Sequence, residues 1–163
     1  MTADFSLFKK RFANFFTFRM FLLSKVPAAF FAGVKLERLQ REEAAMSVSY
    51  KWFNTNPFHS VYFAVLLMSG EISTGILCMA YLYKRLPGVS MLLIHNEGNF
   101  YKKATGKITF TCTDGTLINE AVDKAIATGE ATTVRCKSIG KNEQQQIVAE
   151  LYFTWSFKAR KKV

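Results

Sequence analysis

The chain is poor in the residues that build staples and metal centres. In 163 residues it has three cysteines, Cys78, Cys112 and Cys136, and two histidines, His59 and His95. The thiols are odd in number, far apart in sequence, and each lies in an apolar periodic segment. That excludes a secreted disulfide framework and fits reduced cysteines packed as small hydrophobes in the cytoplasm. With only two histidines to add, no ligand spacing assembles, so no metal and no other cofactor is expected. Acidic residues are scarce as well, 12 against 22 basic ones, for a net charge of +10. Such a charge attracts polyanions over about a Debye length. The basic residues are scattered, however: Lys9, Lys10 and Arg11, then Lys102, Lys103 and Lys107, then Arg135, Lys137 and a tail from Lys158 to Lys162. No zinc spacing, helix-turn-helix pattern or RNP-type aromatic run accompanies them. A solvated cationic surface is expected, with no nucleic acid as partner.

What the chain has in abundance is apolar. Half its residues are hydrophobic and 16 are phenylalanine, which excludes disorder and low complexity. The length suits one domain with a sizeable core. From Asp4 to Lys25, Phe5, Phe8, Phe12, Phe15 or Phe16, and Leu22 or Leu23 recur at helical spacing, with Lys9, Arg11, Asn14 and Arg19 between them. This is an amphipathic helix. Arg19 interrupts the apolar run, so it reads neither as a signal peptide nor as a membrane span. Two placements stay open for it, against its own domain or on a membrane surface.

After Pro27 the period changes to two. Val34–Gln40 and Ala45–Tyr50 read as a hairpin turning at Arg41-Glu42-Glu43. Later strands alternate through Ile108, Phe110 and Cys112, through Val134 and Cys136, and through Ile147, Ala149, Leu151, Phe153, Trp155 and Phe157. Ser90–Tyr101 reads as a strand bent or bulged at Gly98. Between strands, Thr116–Thr128 is a short helix with Leu117, Ala121, Val122, Ala125 and Ile126 on one face and Gly129 as its C-cap.

The segment from Ser60 to Tyr83 is apolar on every side, and Glu71 is its only acid. Its length would suit a transmembrane span. Its centre, Ser69-Gly70-Glu71-Ile72-Ser73-Thr74-Gly75, is the least lipid-like part, and soluble β pattern flanks it on both sides. A soluble helix that is hydrophobic all round must be enclosed by protein. The expectation is therefore an α+β domain without an integral membrane span, its antiparallel sheet wrapped around this helix.

The run Asn56-Pro57-Phe58-His59-Ser60-Val61-Tyr62-Phe63-Ala64, followed by Gly70-Glu71, resembles the signature of hotdog-fold thioesterases. There an Asn precedes a His-Gly-Gly, and an Asp or Glu follows one to two helical turns later. By spacing, Asn56 matches the Asn, Tyr62-Phe63-Ala64 stands in the His-Gly-Gly place, and Glu71 matches the catalytic carboxylate. The wider run to Phe153-Thr154-Trp155-Ser156-Phe157-Lys158 is similar to an uncharacterised bacterial branch of that superfamily. The resemblance covers Val34 to Lys158. It implies one domain over 1–163, with 1–32 a helical extension outside the common core, 33–158 the hotdog core and 159–163 a basic tail. It also implies hydrolysis of an acyl-coenzyme A thioester, with the Phe63 main-chain N–H as oxyanion contact, Glu71 as base or nucleophile, and Asn56 orienting the carboxylate or the water. Tyr62 and Ala64 would line the substrate, while Lys102, Lys103 and Lys107, or Arg135 and Lys137, would meet the coenzyme phosphates. Eight helical residues put Phe63 and Glu71 about 12 Å apart, so the two must come from different chains of a homodimer or dimer of dimers. The same fold serves non-catalytic acyl-coenzyme A or lipid binders, and hydratases that pair a His with the helix acid. His59 is the only candidate for that pairing.

Overall fold

The computed structural model describes residues 4–160, so Lys161, Lys162 and Val163 of the expected basic tail lie outside the described residues. Three helices come first, α1 (Phe5–Phe12), α2 (Phe15–Lys25) and α3 (Pro27–Ala32). The single N-terminal helix read from the sequence is thus two. Asn14 is the reason: its side-chain oxygen accepts from the N–H groups of Phe16 and Thr17, at 2.9 and 3.2 Å, and starts a new helix where the old one would have continued. Pro27 then opens α3, and Gly33 ends it in a left-handed conformation.

Strands β1 (Lys35–Leu39) and β2 (Ala44–Ser49) form the expected hairpin. A short 3₁₀ turn (Trp52–Asn54) leads to the long helix α4 (Phe63–Leu82). After it come β3 (Val89–Phe100), β4 (Lys107–Cys112), α5 (Gly115–Thr128), β5 (Thr132–Lys141) and β6 (Ile147–Ala159). The six strands make one sheet in the order β1-β2-β4-β5-β6-β3, with every neighbouring pair antiparallel. β3 is therefore an edge, although it follows α4 directly in sequence.

The sheet packs on α4 through β2, β4, β5 and β6, while α1, α3 and α5 cover other sides of the helix. α4 is long and apolar enough to cross a membrane by composition, yet 67% of its most apolar stretch is buried in the protein. Its small polar residues account for the polar centre seen in the sequence. Ser73 shares a hydrogen bond of 2.8 Å with Ser138 of β5, and Trp155 of β6 donates its indole N–H to Thr74 at 2.9 Å. These bonds pin the helix to the sheet at one register.

Two local readings need correction. The irregularity in β3 falls between Leu93 and His95, whereas Gly98 pairs in regular register with Leu151. Gly98 is there for room, since a Cβ would stand 2.5 Å from a Leu151 methyl. On α5 the buried leading residue is Ile118, and Leu117 is exposed. The helix begins at Gly115, whose N–H donates to the Glu42 carbonyl, and that docking sets which face turns inward.

The cysteines, far apart in sequence, meet in the core. All three are buried and free. The hydrogen bond with Cys136, followed by burial, pushes the Cys112 thiol far above its usual range. Cys136 is also pushed up; its bond with Cys112 pulls the other way, but its bond with Cys78 and burial outweigh that. Buried among apolar side chains, the three thiols pack as small hydrophobic groups.

Candidate active site around helix α4

Glu71 lies on the second turn of α4 past its start and lines a small cavity of about 130 Å³. The walls come from three directions: Phe18, Phe21 and Leu22 from α2, Ile76 and Met79 from α4, and Met91 and Trp155 from the sheet. The carboxylate sits over Gly75, where an added Cβ would be 3.2 Å from Oε1 and 3.4 Å from the Trp155 ring. Glycine here leaves the acid its place beside the indole. The Thr74 hydroxyl donates to the Glu71 carbonyl, and the Ser73 hydroxyl is engaged with Gly70 and Ser138. Among the described residues, no hydrogen bond or ion pair reaches the Glu71 carboxylate itself. Burial therefore acts unopposed and raises its pKa from 4.5 to about 7.

A second cavity, of about 470 Å³, lies at the N-terminus of α4. It collects five of the residues singled out in the sequence, Asn56, Tyr62, Phe63, Lys102 and Lys103. Within the chain Asn56 holds its own loop: its Oδ1 accepts from Phe58 N–H, Ser60 N–H and the Ser60 hydroxyl, at 3.0, 3.2 and 3.2 Å. Tyr62 precedes the helix and Phe63 opens it; the N–H groups of Phe63 and Ala64 have no acceptor among the described residues. Free donors at the positive end of a 20-residue helix suit an oxyanion. Three rings stand around them, Tyr62 and Phe63 with centroids 5.0 Å apart and Phe63 and Phe100 6.4 Å apart.

The remaining sequence candidates lie elsewhere. Arg135 pairs with Glu97 and stacks on Tyr152, with its guanidinium carbon 3.8 Å from the ring centroid. Lys137 pairs with Glu150 and Lys107 with Glu37. His59 sits in a loop at φ 56° and His95 on the exposed face of β3. Among the described residues no group of His, Cys, Asp and Glu could hold a metal ion. What sequence reasoning missed is the wall of the Glu71 cavity supplied by Phe18, Phe21 and Leu22. The helical spacing puts Phe15 or Phe16 on the inner stripe; both are exposed, because the new helix that starts at Asn14 turns Phe18 inward with Leu22 instead.

The two cavities share no lining residue. Each, however, reaches the edge strand, the Glu71 cavity through Met91 and the helix-end cavity through Phe100.

No protein-family model matches the chain by sequence, and no curated protein does. Solved structures do match. A protein of unknown function from Pseudomonas aeruginosa, described as a probable thioesterase, superposes with a TM-score of 0.74 at 18% identity, over 88% of this chain and 95% of that one. A thioesterase from Haemophilus influenzae gives 0.67 at 10% identity, over 91% and 93%. A protein of unknown function from Chlorobaculum tepidum gives 0.77 at 10% identity, over 97% and 98%. At these identities the likeness shows the fold, and the chain has the hotdog fold that its sequence resembles. A match over 97% of the chain takes in the N-terminal helices, so that structure shares them with this one.

Proposed function

We propose that the protein is an acyl-coenzyme A thioesterase assembled from two copies of the chain. The observation that carries this reading is Glu71, an unpartnered carboxylate in an apolar cavity with a pKa near 7, where a general base works best. In this reaction Glu71 takes a proton from water as the water oxygen bonds to the thioester carbonyl carbon. The oxyanion accepts from the Phe63 N–H of the other copy. The C–S bond then breaks, and the proton on Glu71 passes to the departing sulfur, leaving a carboxylic acid and a free thiol.

The second copy is needed because about 12 Å of helix separates the two groups within one chain. β3 is a 12-residue edge strand with Leu92 and Ile94 exposed, a surface suited to pairing with another strand. Antiparallel pairing of two such strands about their middle brings the Met91 end of one beside the Phe100 end of the other. The Glu71 cavity of each copy then faces the helix-end cavity of its neighbour. Lys102 and Lys103, at that helix end, suit coenzyme A phosphates, while Arg135 is committed to Glu97. Three free buried thiols support a cytoplasmic setting for this chemistry.

A second reading, a binder of acyl-coenzyme A without turnover, is favoured by the rings of Tyr62, Phe63 and Phe100 crowding the approach to the free N–H groups. One assay separates the two. Across short, long and aromatic acyl-coenzyme A substrates, the thioesterase hydrolyses at least one, and Glu71→Gln lowers kcat by roughly a hundredfold or more. A wild type that hydrolyses none while retaining acyl ligand through purification is a binder.

A further inference from the structure

Helix α2 is apolar on both sides. Phe18 and Leu22 are buried against the core, while Phe16, Met20 and Leu23, on the opposite stripe at spacings of four and three, are exposed. An outward apolar stripe on a helix already anchored from within marks an unmet contact. The stripe does not stand alone. α3 packs on α2, and the 3₁₀ turn at Trp52–Asn54 packs on α3. This adds Phe31, Phe53 and Trp52, with Phe31 and Phe53 ring centroids 6.1 Å apart and Trp52 87% exposed.

Cations are set among these rings. The Arg19 guanidinium carbon lies 3.8 Å from the Phe30 ring centroid, and the Lys51 ammonium donates to the Phe31 carbonyl at 3.0 Å. Arg19 also donates to the Phe30 and Val34 carbonyls at 3.1 and 3.4 Å, so its guanidinium and the Lys51 ammonium meet neighbouring carbonyls at the end of α3, with Lys35 next in the chain. Partial burial, then the nearness of Arg19 and Lys35, lowers the Lys51 pKa. Glu37, which feels the charge of Lys35, is engaged by Lys107 and Ser47. No ion pair among the described residues involves Arg19, Lys35 or Lys51.

We propose that this face, the outer stripe of α2 with Phe31, Trp52 and Phe53 and the cations Arg19, Lys35 and Lys51, docks on an anionic phospholipid bilayer. The apolar groups enter the boundary between headgroups and acyl chains, and the cations meet lipid phosphates. Trp52 suits that boundary, being amphipathic and nearly free of protein contact. Met20 and Leu23 favour a bilayer over single-stranded nucleic acid, since neither stacks on a base. A second copy of the chain has a different place to go, the β3 edge. The inner face of α2 walls the Glu71 cavity, so lipid contact and cavity wall are opposite sides of one helix.

The test uses the full chain, vesicles of phosphatidylcholine alone or with about a third phosphatidylglycerol, and no substrate. Binding is read by flotation and by Trp52 emission. The expected result is a blue shift with anionic vesicles, absent in Trp52→Phe, and partition at least tenfold weaker to neutral vesicles. Phe16→Ser with Leu23→Ser, both exposed and so compatible with folding by circular dichroism, loses at least tenfold. Lys35→Glu loses at least fivefold, as expected for one basic residue near a charged surface. Equal partition to both vesicles, or no shift with either, overturns the proposal. It is also overturned if the Phe16→Ser, Leu23→Ser variant binds vesicles like wild type, or if it changes the oligomer in light scattering, which makes the face an interface between copies.

Discussion

At the scale of single residues, the buried Glu71 carboxylate ties stability to pH, and in the proposed reaction it is also the base. A carboxylate whose pKa is raised by folding binds its proton more tightly in the folded state than in the unfolded chain. Between about pH 4.5 and 7 folding takes up that proton, so stability falls as pH rises through this window. Above it the charge stays buried, at a cost of about 3 kcal/mol, and below it the cost is gone. Urea unfolding of Glu71→Gln should therefore match wild type near pH 4 and exceed it by about 2 to 3 kcal/mol near pH 8. A difference that stays constant across that range means Glu71 is not the titrating group. Glu71 stood out in the sequence because a lone acid on an apolar helix has nowhere cheap to go. What the sequence did not reveal is that the nearby hydroxyls look elsewhere. Ser73 turns to Ser138 of the sheet and Thr74 to the indole of Trp155, partners that lie far away in sequence.

At the scale of elements, the strands were legible because alternation survives wherever one face is buried, as in β4 and β6. Caps and bulges were harder to read. Asn14 breaks the N-terminal helix by a local hydrogen bond that competes with an apolar stripe running straight through it. The bulge near Ile94 carries no glycine to mark it, while Gly98 serves a neighbouring side chain. The outcome with most bearing on function is that α2 limits the space beside Glu71. About 130 Å³ is close to the volume of apolar cavities that take one benzene ring. Acyl groups of about six carbons, or a single aromatic ring, should accordingly be preferred over long chains. Phe21→Ala removes part of that wall and should shift the optimum of an acyl-length series upward by several carbons, at a cost of about 2 kcal/mol because Phe21 is only half-buried. An unchanged optimum would mean the chain is held elsewhere.

At the scale of the whole molecule, one chain of the proposed enzyme holds both halves of a site without joining them. The free N–H groups at the start of α4 and the acid two turns on belong to separate cavities, each lined by one residue of the same edge strand, Phe100 and Met91. The sequence carried the argument for a second chain, because helix rise alone forbids the pairing within one. It carried no sign of the edge that would join them, since β3 reaches the edge through a long crossover and not through its place in the chain. The most direct test is a mixing experiment between two inactive variants. Phe63→Pro deletes the oxyanion donor at a position where proline suits a helix, and Tyr62, at φ −59° and ψ 133°, already has a conformation allowed before proline. Glu71→Gln deletes the base. If each site takes its base from one chain and its donor from the other, exchanging subunits between the two variants restores about a quarter of wild-type turnover, because half the dimers are mixed and each of those has one intact site. Variants that fold and exchange subunits yet recover nothing on mixing, or a Phe63→Pro that keeps full activity alone, contradict the account.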